Sequence, residues 1–452
     1  MANDFSYLAL ALSLPVGIAL FLVLRPVTAA IVVFLSFVMF LPEVVTLDAP
    51  GIPGVGKIEA ASVACLFGML LTGRRRLREA RPFRGPEALT LLLFACDVAT
   101  VVTNGDPVVV GPTFIAGLGS SDVVSSIYKD LLWYTVPFLV GRALITSSKE
   151  LKELLAAVAI AGAVYTPLLF IELMLSPQLH GWIYGFYQHS FAQTFRGGGF
   201  RPTVFMNHGL AVGLFMAWAV VAAVALAKAR RAASGIPAPV VAVYNGAFLV
   251  ACKSLGAVLY AAAATPLLAL LPPRLVARST VVAALLVLSY PACRTFELFP
   301  VEAVVSAARS FSPARAESLE FRLRMEELIT KHTAERPWFG WGWSGRNIVY
   351  EAESGKQASV SDGQWIVVTS VHGIAGFAAT FPLLVWPLFG LRRRLRRIEI
   401  PADRAMLAGL AVMVAIGAVD LIPNGLFSHL IVFFAGALYG AAGGMAREAE
   451  AG

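Results

Sequence analysis

The sequence predicts an all-α polytopic membrane protein, a single membrane domain over residues 1–452. Of its 452 residues, 58% are hydrophobic and 14% are charged, and the mean hydropathy of +0.74 lies far above the range of soluble domains. The apolar runs are roughly twenty residues long, enough for a helix to cross the hydrocarbon core with its backbone hydrogen bonds satisfied. We therefore expect about 12–13 transmembrane helices. The predicted spans are 5–24, 27–41, 57–72, 86–103, 128–146, 153–174, 203–227, 238–254, 255–271, 279–293, 362–391, 405–421 and 425–444.

The placement of the basic residues predicts how the chain is oriented. The formal net charge is +8, but the arginines are concentrated in short connections at 74–84, 228–231 and 392–397. This is the positive-inside pattern, which argues against a nucleic-acid-binding surface and places these connections in the cytoplasm. The N-terminus is then outside and the C-terminus inside. The predicted outer segments are 42–56, 104–127, 175–202 and 294–361.

Two outer loops, 175–202 and 294–361, are too long to be simple turns. The larger loop contains a periodic stretch that predicts a helix near 316–334, with its main body from Glu317 to Thr333 and its end before Pro337. The larger loop is the longest polar stretch between the apolar runs, so we expect the chemistry of the protein at these outer loops.

One arginine of the predicted outer helix falls on its apolar side. At 100° per residue, Arg322 lies within an arc of leucine, methionine, isoleucine and phenylalanine, whereas Arg324 lies on the polar side. A planar guanidinium that stays protonated suits a phosphate, so Arg322 is the leading candidate for an anion ligand. The alternative is an intrahelical ion pair between Arg322 and Glu326.

The segment FRGGGFRPTVFMNHG, residues 195–209, carries two arginines, and the 175–202 loop has no acidic residue to neutralise them. Three consecutive glycines let the backbone approach a ligand closely. We expect Arg201 to be a second phosphate contact and Arg196 to be a headgroup-level residue with a smaller role in the anion site. Arg346 in the larger loop is either a further member of the anion site or a headgroup-level residue.

The segment SVSDGQWIVVTSVHGIAG, residues 359–376, leads from the larger loop into the next span. Asp362 stands at the outer lipid boundary, where an ionisable group is a functional candidate by default. It is either a general base, a helix N-cap, or both. His372 is a weaker candidate for the base, because a buried structural histidine is the commoner case. We find no sequence motif and no clustered His/Asp/Glu set that indicates a metal.

Taken together, these elements resemble the O-antigen ligase and Wzy-type polysaccharide polymerase superfamily of Wzy_C-like membrane glycosyltransferases, over roughly residues 130–380. FRPTVFMNHG matches the arginine-containing loop of that family through Arg201, with Asn207 and His208 at the start of the span. FRLRMEELITKHTAERPWFGWG matches its Arg-Leu pair, through Arg322, and its RPxxGxG turn, through Pro337.

The last motif, GIAG at 373–376, also matches, but Asp362 and Gly363 stand where ligases of the family have histidine and asparagine. This departure favours the polymerase side of the family. The resemblance implies a GT-C-like, metal-independent, inverting glycosyltransferase without a cofactor. Its catalytic residues would be Asp362 as base, with His372 as a weaker candidate, and Arg322. Its pyrophosphate-binding residues would be Arg201, Arg322, Arg196 and Arg346.

The resemblance also implies the substrates and the location of the enzyme. The donor would be an undecaprenyl-pyrophosphate-linked oligosaccharide, the acceptor a glycan or a lipid, and the site would face the periplasm from the bacterial inner membrane. Membrane lipid and chain-length-regulating or export proteins would be its other partners, and nucleic acid would not. The alternatives are an O-antigen ligase acting on lipid A core and a lipid-linked glycan flippase. A membrane-interior relay of Asp97, Glu172 and Asp420 would support the flippase.

Overall fold

The computed structural model describes residues 2–49, 52–196 and 198–451, and most of these are helical. A π-helical turn, Leu131–Thr135, connects α6 (Ser120–Asp130) to α7 (Val136–Leu144). The other α-helices are α1 (Asp4–Val23), α2 (Pro26–Phe40), α3 (Lys57–Thr72), α4 (Arg74–Ala80), α5 (Leu89–Val102), α8 (Ser148–Leu175), α9 (Leu179–Tyr184), α10 (Gly209–Lys228), α11 (Ala238–Ala251), α12 (Leu255–Leu270), α13 (Pro273–Thr295), α14 (Val301–Phe311), α15 (Pro313–Thr333), α16 (Gln364–Arg397), α17 (Pro401–Asp420) and α18 (His429–Ala451).

The strands are short and contribute little to the architecture. Within the described ranges they form two-stranded antiparallel hairpins in loops between helices. The pairs are β1 (Leu47–Ala49) with β2 (Ile52–Val55), β3 (Val108–Val110) with β4 (Thr113–Ile115), β5 (Phe195–Arg196) with β6 (Gly199–Phe200), and β7 (Ala232–Ala233) with β8 (Ile236–Pro237).

The prediction of an all-α polytopic membrane protein is confirmed. Seven helices of the described chain are long and apolar enough to cross a membrane, namely α1, α8, α10, α13, α16, α17 and α18, and α2, α11 and α12 are shorter apolar helices. Each predicted span overlaps a helix, and the span at 128–146 coincides with α6, the π-helical turn and α7. In the larger outer loop α15 begins four residues earlier than its predicted main body and is preceded by α14, which the sequence did not indicate.

Three long helices form the centre of the bundle. Their apolar stretches are 83% buried in α10 and α17 and 89% buried in α18, compared with 28% in α1 and α13. The indole Nε1 of Trp218 in α10 donates a hydrogen bond of 2.9 Å to the carbonyl of Met413 in α17. These three helices therefore lie in the interior of the protein.

Helices α7 and α18 pack through small residues, which let two backbones approach closely. A Cβ on Gly436 would lie 2.0 Å from the carbonyl oxygen of Phe138, and one on Gly444 would lie 1.9 Å from that of Thr146. Glycine is therefore the residue that fits at both positions of α18.

Contacts at the two ends of the bundle define which loops share a side. Asn3 donates a backbone hydrogen bond of 3.1 Å to Tyr184, at the end of α9. The N-terminus therefore lies on the same side as the 175–202 loop, as the odd number of predicted spans requires. At the opposite end Arg76 pairs with Glu150 at 2.5 Å, and Arg397 near the end of α16 pairs with Glu450 at 2.5 Å.

Candidate functional site

Arg322 and Asp362, which we call the outer pair, lie together at the outer end of the bundle. The Nε of Arg322 is 3.6 Å from Oδ2 of Asp362, and the two side chains are 33% and 31% exposed. Arg322 also donates a hydrogen bond of 3.4 Å from a terminal guanidinium nitrogen to the carbonyl of Pro423. Both contacts are long, so the guanidinium and the carboxylate remain accessible to a ligand from the outside.

Asp362 does not cap a helix. Helix α16 begins at Gln364, its N-cap is Gly363, and no side chain bonds to the first turn there. The expectation that Asp362 is an N-cap is therefore wrong, because the aspartate stands one position too early in the chain. This leaves the carboxylate paired with Arg322 instead.

The face of α15 agrees with helical periodicity for most of its positions. Leu323, Met325 and Ile329 are buried and Arg324 is exposed. Phe321, which belongs to the same predicted apolar arc, is 50% exposed. Arg322 lies at the border of this face, half-buried, with its head directed at the start of α16.

Glu326 is not the partner of Arg322. Its Oε2 is 3.1 Å from Nε of Arg294, at the end of α13, and accepts a hydrogen bond of 3.1 Å from the hydroxyl of Tyr290. Burial raises the pKa of Glu326, and the attraction of Arg294 opposes that rise. The alternative of an Arg322–Glu326 intrahelical pair is thereby replaced by a buried pair that fixes α15 to α13.

The turn at 337–342 is inserted into a break in α16. At Gly373 the backbone adopts φ 66° and ψ −166°, which is not helical. The amides of Trp341 and Gly342 donate to the carbonyls of Ser370 and Val371 at 2.8 and 3.0 Å, and Ile374 donates to Pro337 at 2.8 Å. The RPxxGxG and GIAG motifs, read from the sequence as separate elements, thus form one packing unit.

The same turn is anchored to the end of α5 by two arginines. Arg336 pairs with Asp106 at 2.8 Å and stacks over the ring of Trp341 at 4.3 Å, and its hydrogen bond lowers the pKa of Asp106. Arg346 is 0% exposed. Its guanidinium donates to the carbonyls of Trp341, Asp106 and Ala116 at 3.2, 2.8 and 3.1 Å.

These contacts correct the expectation that Arg346 binds substrate pyrophosphate. A guanidinium with several protein acceptors and no exposed surface has no donor to offer a phosphate in this conformation. Arg346 holds the outer loop in place. It belongs to the scaffold of the site and not to its surface.

Arg201 lies on another wall of the outer end. It is 7% exposed, and a terminal nitrogen donates to the carbonyl of Lys253 at 3.2 Å. Lys253 comes shortly before α12, and α12 packs against α17. Arg201 therefore lies beside the start of α12, and the outer pair lies beside the start of α16. The side chain of Arg196 lies outside the described residues.

His372 is 5% exposed and lies eight residues into α16, about 12 Å from its start at 1.5 Å per residue. It is therefore remote from Asp362 and joins a different set of groups. Its Nδ1 is 3.4 Å from Oδ1 of Asp97, and one ligand atom each of Asp97, Asp130 and His372 lie within 4.8 Å of one another. We call these three residues the acidic–histidine cluster.

The expectation that no clustered His/Asp/Glu set exists is therefore wrong. The three residues lie on α5, α6 and α16, and nothing in the sequence pairs them. The one signal in the sequence is that Asp97 and Asp130 are both carboxylates inside predicted spans.

The relay of Asp97, Glu172 and Asp420 that would support a flippase is not assembled. Glu172 accepts backbone hydrogen bonds from Leu179, Thr203 and Val204 at 3.1, 2.8 and 2.8 Å. Its role is to hold the 175–202 loop onto α8.

Asp420 accepts a hydrogen bond of 2.8 Å from Asn424, in the loop after α17. Asp97, Glu172 and Asp420 thus lie in three separate places, each with its own partners.

A scan against protein-family models and a search of curated proteins both find no match for this chain.

Proposed function

We propose that this protein is an inverting membrane glycosyltransferase that polymerises or transfers undecaprenyl-pyrophosphate-linked glycan units at the periplasmic face of the inner membrane. The single observation that carries this proposal is the outer pair. Arg322 and Asp362 are forty residues apart in the chain, and the fold brings them to 3.6 Å at an accessible position beside the membrane. An anion ligand and a candidate base in one place are what glycosyl transfer from a pyrophosphate donor needs.

The roles of the two groups follow from their chemistry. Asp362 accepts the proton of the acceptor hydroxyl, whose oxygen attacks the anomeric carbon from the face opposite the leaving group. The bond from that carbon to the pyrophosphate oxygen breaks, and the departing undecaprenyl pyrophosphate carries the electron pair. Arg322 stabilises the charge that develops on it.

Arg201 is a second contact for the pyrophosphate in this proposal. Its guanidinium is mostly buried and donates to the carbonyl of Lys253. Arg201 would therefore attract the pyrophosphate as a positive charge held in one position. The choice between a polymerase and a ligase acting on lipid A core depends on the acceptor, and Asp362 in the position of the histidine of the ligases favours the polymerase.

Arg322 and Arg324 provide a matched pair for the test. A strain that lacks the gene is complemented with wild type, Arg322→Ala, Arg324→Ala or Asp362→Asn, and polymer length is measured on gels beside the accumulated lipid-linked repeat unit. We expect a loss of about 100-fold or more in product for Arg322→Ala and Asp362→Asn, as for removal of a group that stabilises transition-state charge. Arg324→Ala should make normal polymer, because its side chain is exposed.

Wild-type polymer from Arg322→Ala, with the protein present at normal level, would remove the outer pair from the proposed mechanism. Accumulation of repeat units on the inner leaflet would instead favour the flippase. The acidic–histidine cluster is the observation that favours a flippase, since ionisable groups inside the membrane often mark transport pathways. It does not include Glu172 or Asp420, so a relay across the membrane is not formed by the described residues.

A further inference from the structure

We propose that Asp97, Asp130 and His372 bind a divalent metal ion, Zn²⁺ or Mn²⁺, inside the outer half of the helix bundle. The proposal concerns a place about 12 Å below the start of α16 and does not depend on glycosyl transfer by the outer pair. It rests on geometry, on burial, and on a cavity that connects the cluster to the outer loops.

The geometry of the cluster fits a single small ion. The ligand atoms of the three residues lie within 4.8 Å of one another, and Nδ1 of His372 is 3.4 Å from Oδ1 of Asp97. Bonds of about 2.0–2.2 Å from a metal to oxygen and nitrogen place neighbouring ligand atoms about 3–4 Å apart. Small side-chain adjustments therefore suffice to close the three groups around one ion.

The burial of the cluster disfavours two uncompensated negative charges. Asp97, Asp130 and His372 are 1%, 6% and 5% exposed. In the part of the chain that the structure describes, no N–H or O–H group donates a hydrogen bond to either oxygen of Asp97, to Oδ2 of Asp130 or to Nδ1 of His372. Two carboxylates this close cannot both be ionised in a low-dielectric interior without a cation between them. A divalent ion neutralises both and uses the imidazole nitrogen as its third ligand.

A polar cavity gives the ion a path and room for water. It has a volume of about 80 Å³ and is lined by Asp97 and His372 together with Thr100, Ser125, Ser126 and Ser344. This volume holds a few water molecules, which can complete the coordination of a three-ligand site. Lys129 also lines the cavity, but its side chain is exposed, so water screens its charge.

The donor set selects the class of metal. Two carboxylate oxygens and one imidazole nitrogen include no soft sulfur ligand, which argues against Cu(I). Imidazole is a preferred ligand of Zn²⁺ and is not one of the oxygen ligands on which Ca²⁺ and Mg²⁺ depend. Zn²⁺ and Mn²⁺ are the common ions that accept this mixture. Bound there, the ion would join α5, the end of α6 and α16 next to the break at Gly373.

The test measures metal directly. The full-length protein is purified in detergent without chelator and without a histidine tag, incubated with Zn²⁺ or Mn²⁺, desalted, and analysed by elemental mass spectrometry. We expect about one ion per chain in wild type, and at least about tenfold less in Asp97→Asn, Asp130→Asn and His372→Gln. Asp420→Asn is the matched control, because it removes a buried carboxylate outside the cluster, and it should retain the ion.

Two outcomes of the metal analysis overturn the proposal. Wild type that retains neither ion shows that the two carboxylates share a proton, and the Asn variants should then be as stable as wild type or more so. Retention unchanged in all three variants places the metal elsewhere. If a variant fails to fold, as judged by gel filtration, the remaining ones serve. If none folds, wild type is titrated with Co²⁺, and the absence of a visible absorption band that Zn²⁺ abolishes counts against the site.

Discussion

At the scale of single residues, the sequence could separate Arg322 from Arg324 but could not name their partners. Helical periodicity predicts Arg322 within the apolar arc and Arg324 in water. In the structure Arg324 is exposed, and Arg322 lies half-buried at the border of the apolar face. The partners are remote: Asp362 lies forty residues after Arg322, and Arg294 lies thirty-two before Glu326. Such pairs depend on how α13, α15 and α16 pack together. The local sequence pattern of one helix does not predict that packing.

The Arg294–Glu326 pair gives a stability prediction with an internal control. Its side chains are 9% and 7% exposed, so Arg294→Met should destabilise the protein by about 3–5 kcal/mol, because it leaves a buried carboxylate without its partner. The raised pKa of Glu326 means that this carboxylate can escape part of the cost by taking up a proton. Thermal unfolding in detergent measures the change.

The control is the Arg309–Glu320 pair between α14 and α15, whose side chains are 63% and 58% exposed. Arg309→Met should cost less than about 1 kcal/mol, because water and salt screen the pair. Equal losses in the two variants would mean that burial does not distinguish them. Restoration of stability by Arg294→Met combined with Glu326→Leu would identify the unpaired charge as the cause.

At the scale of elements, the break in α16 organises the outer loop. The sequence indicated one continuous span from 362 to 391, since its apolar character does not reveal that Gly373 leaves the helical region. Four backbone hydrogen bonds join the 337–342 turn to α16 at this break. The acidic–histidine cluster lies directly before this break and the outer pair lies at the start of the same helix. A change in the backbone at Gly373 should therefore alter the positions of both the acidic–histidine cluster and the outer pair.

Gly373→Ala should disrupt this arrangement. Its φ of 66° with ψ −166° is a conformation that essentially only glycine adopts, at a cost of about 1–3 kcal/mol for other residues, and the added Cβ would lie 2.3 Å from the carbonyl of Trp338. We expect a lower unfolding temperature and faster proteolysis of the outer loop. Gly390→Ala, in the same helix, meets no atom within 4 Å and should stabilise by about 0.5–1 kcal/mol. Equal loss of stability in the two variants would show that the effect does not depend on the backbone conformation at Gly373. That result would contradict a specific role for the break.

At the scale of the whole molecule, composition and charge predict most of the architecture. Each predicted span overlaps a helix, because a helix that crosses a bilayer must satisfy its own backbone and so needs a fixed run of apolar residues. Within the described chain, seven of these helices are long and apolar enough to cross a membrane. The orientation of the bundle depends on weaker signals, since the predicted number of spans is odd. The hydrogen bond from Asn3 to Tyr184 connects the N-terminus to the 175–202 loop and therefore makes a prediction that labelling can check.

In a Cys293→Ser background, in which Cys65, Cys96 and Cys252 are buried, a single cysteine is introduced at an exposed position on each side. Asp4→Cys and Glu353→Cys should react with a membrane-impermeant maleimide in intact cells, because the N-terminus and the larger loop share the outer side. Arg396→Cys should react only after the membrane is permeabilised, because the arginine-rich connections are retained in the cytoplasm. Labelling of Glu353→Cys but not of Asp4→Cys from outside would separate two segments that the fold places on one side, and α1 would then have to cross the membrane in the opposite direction. Labelling of Arg396→Cys alone would invert the whole bundle and place the outer pair in the cytoplasm, where a lipid-linked glycan in the periplasm could not reach it.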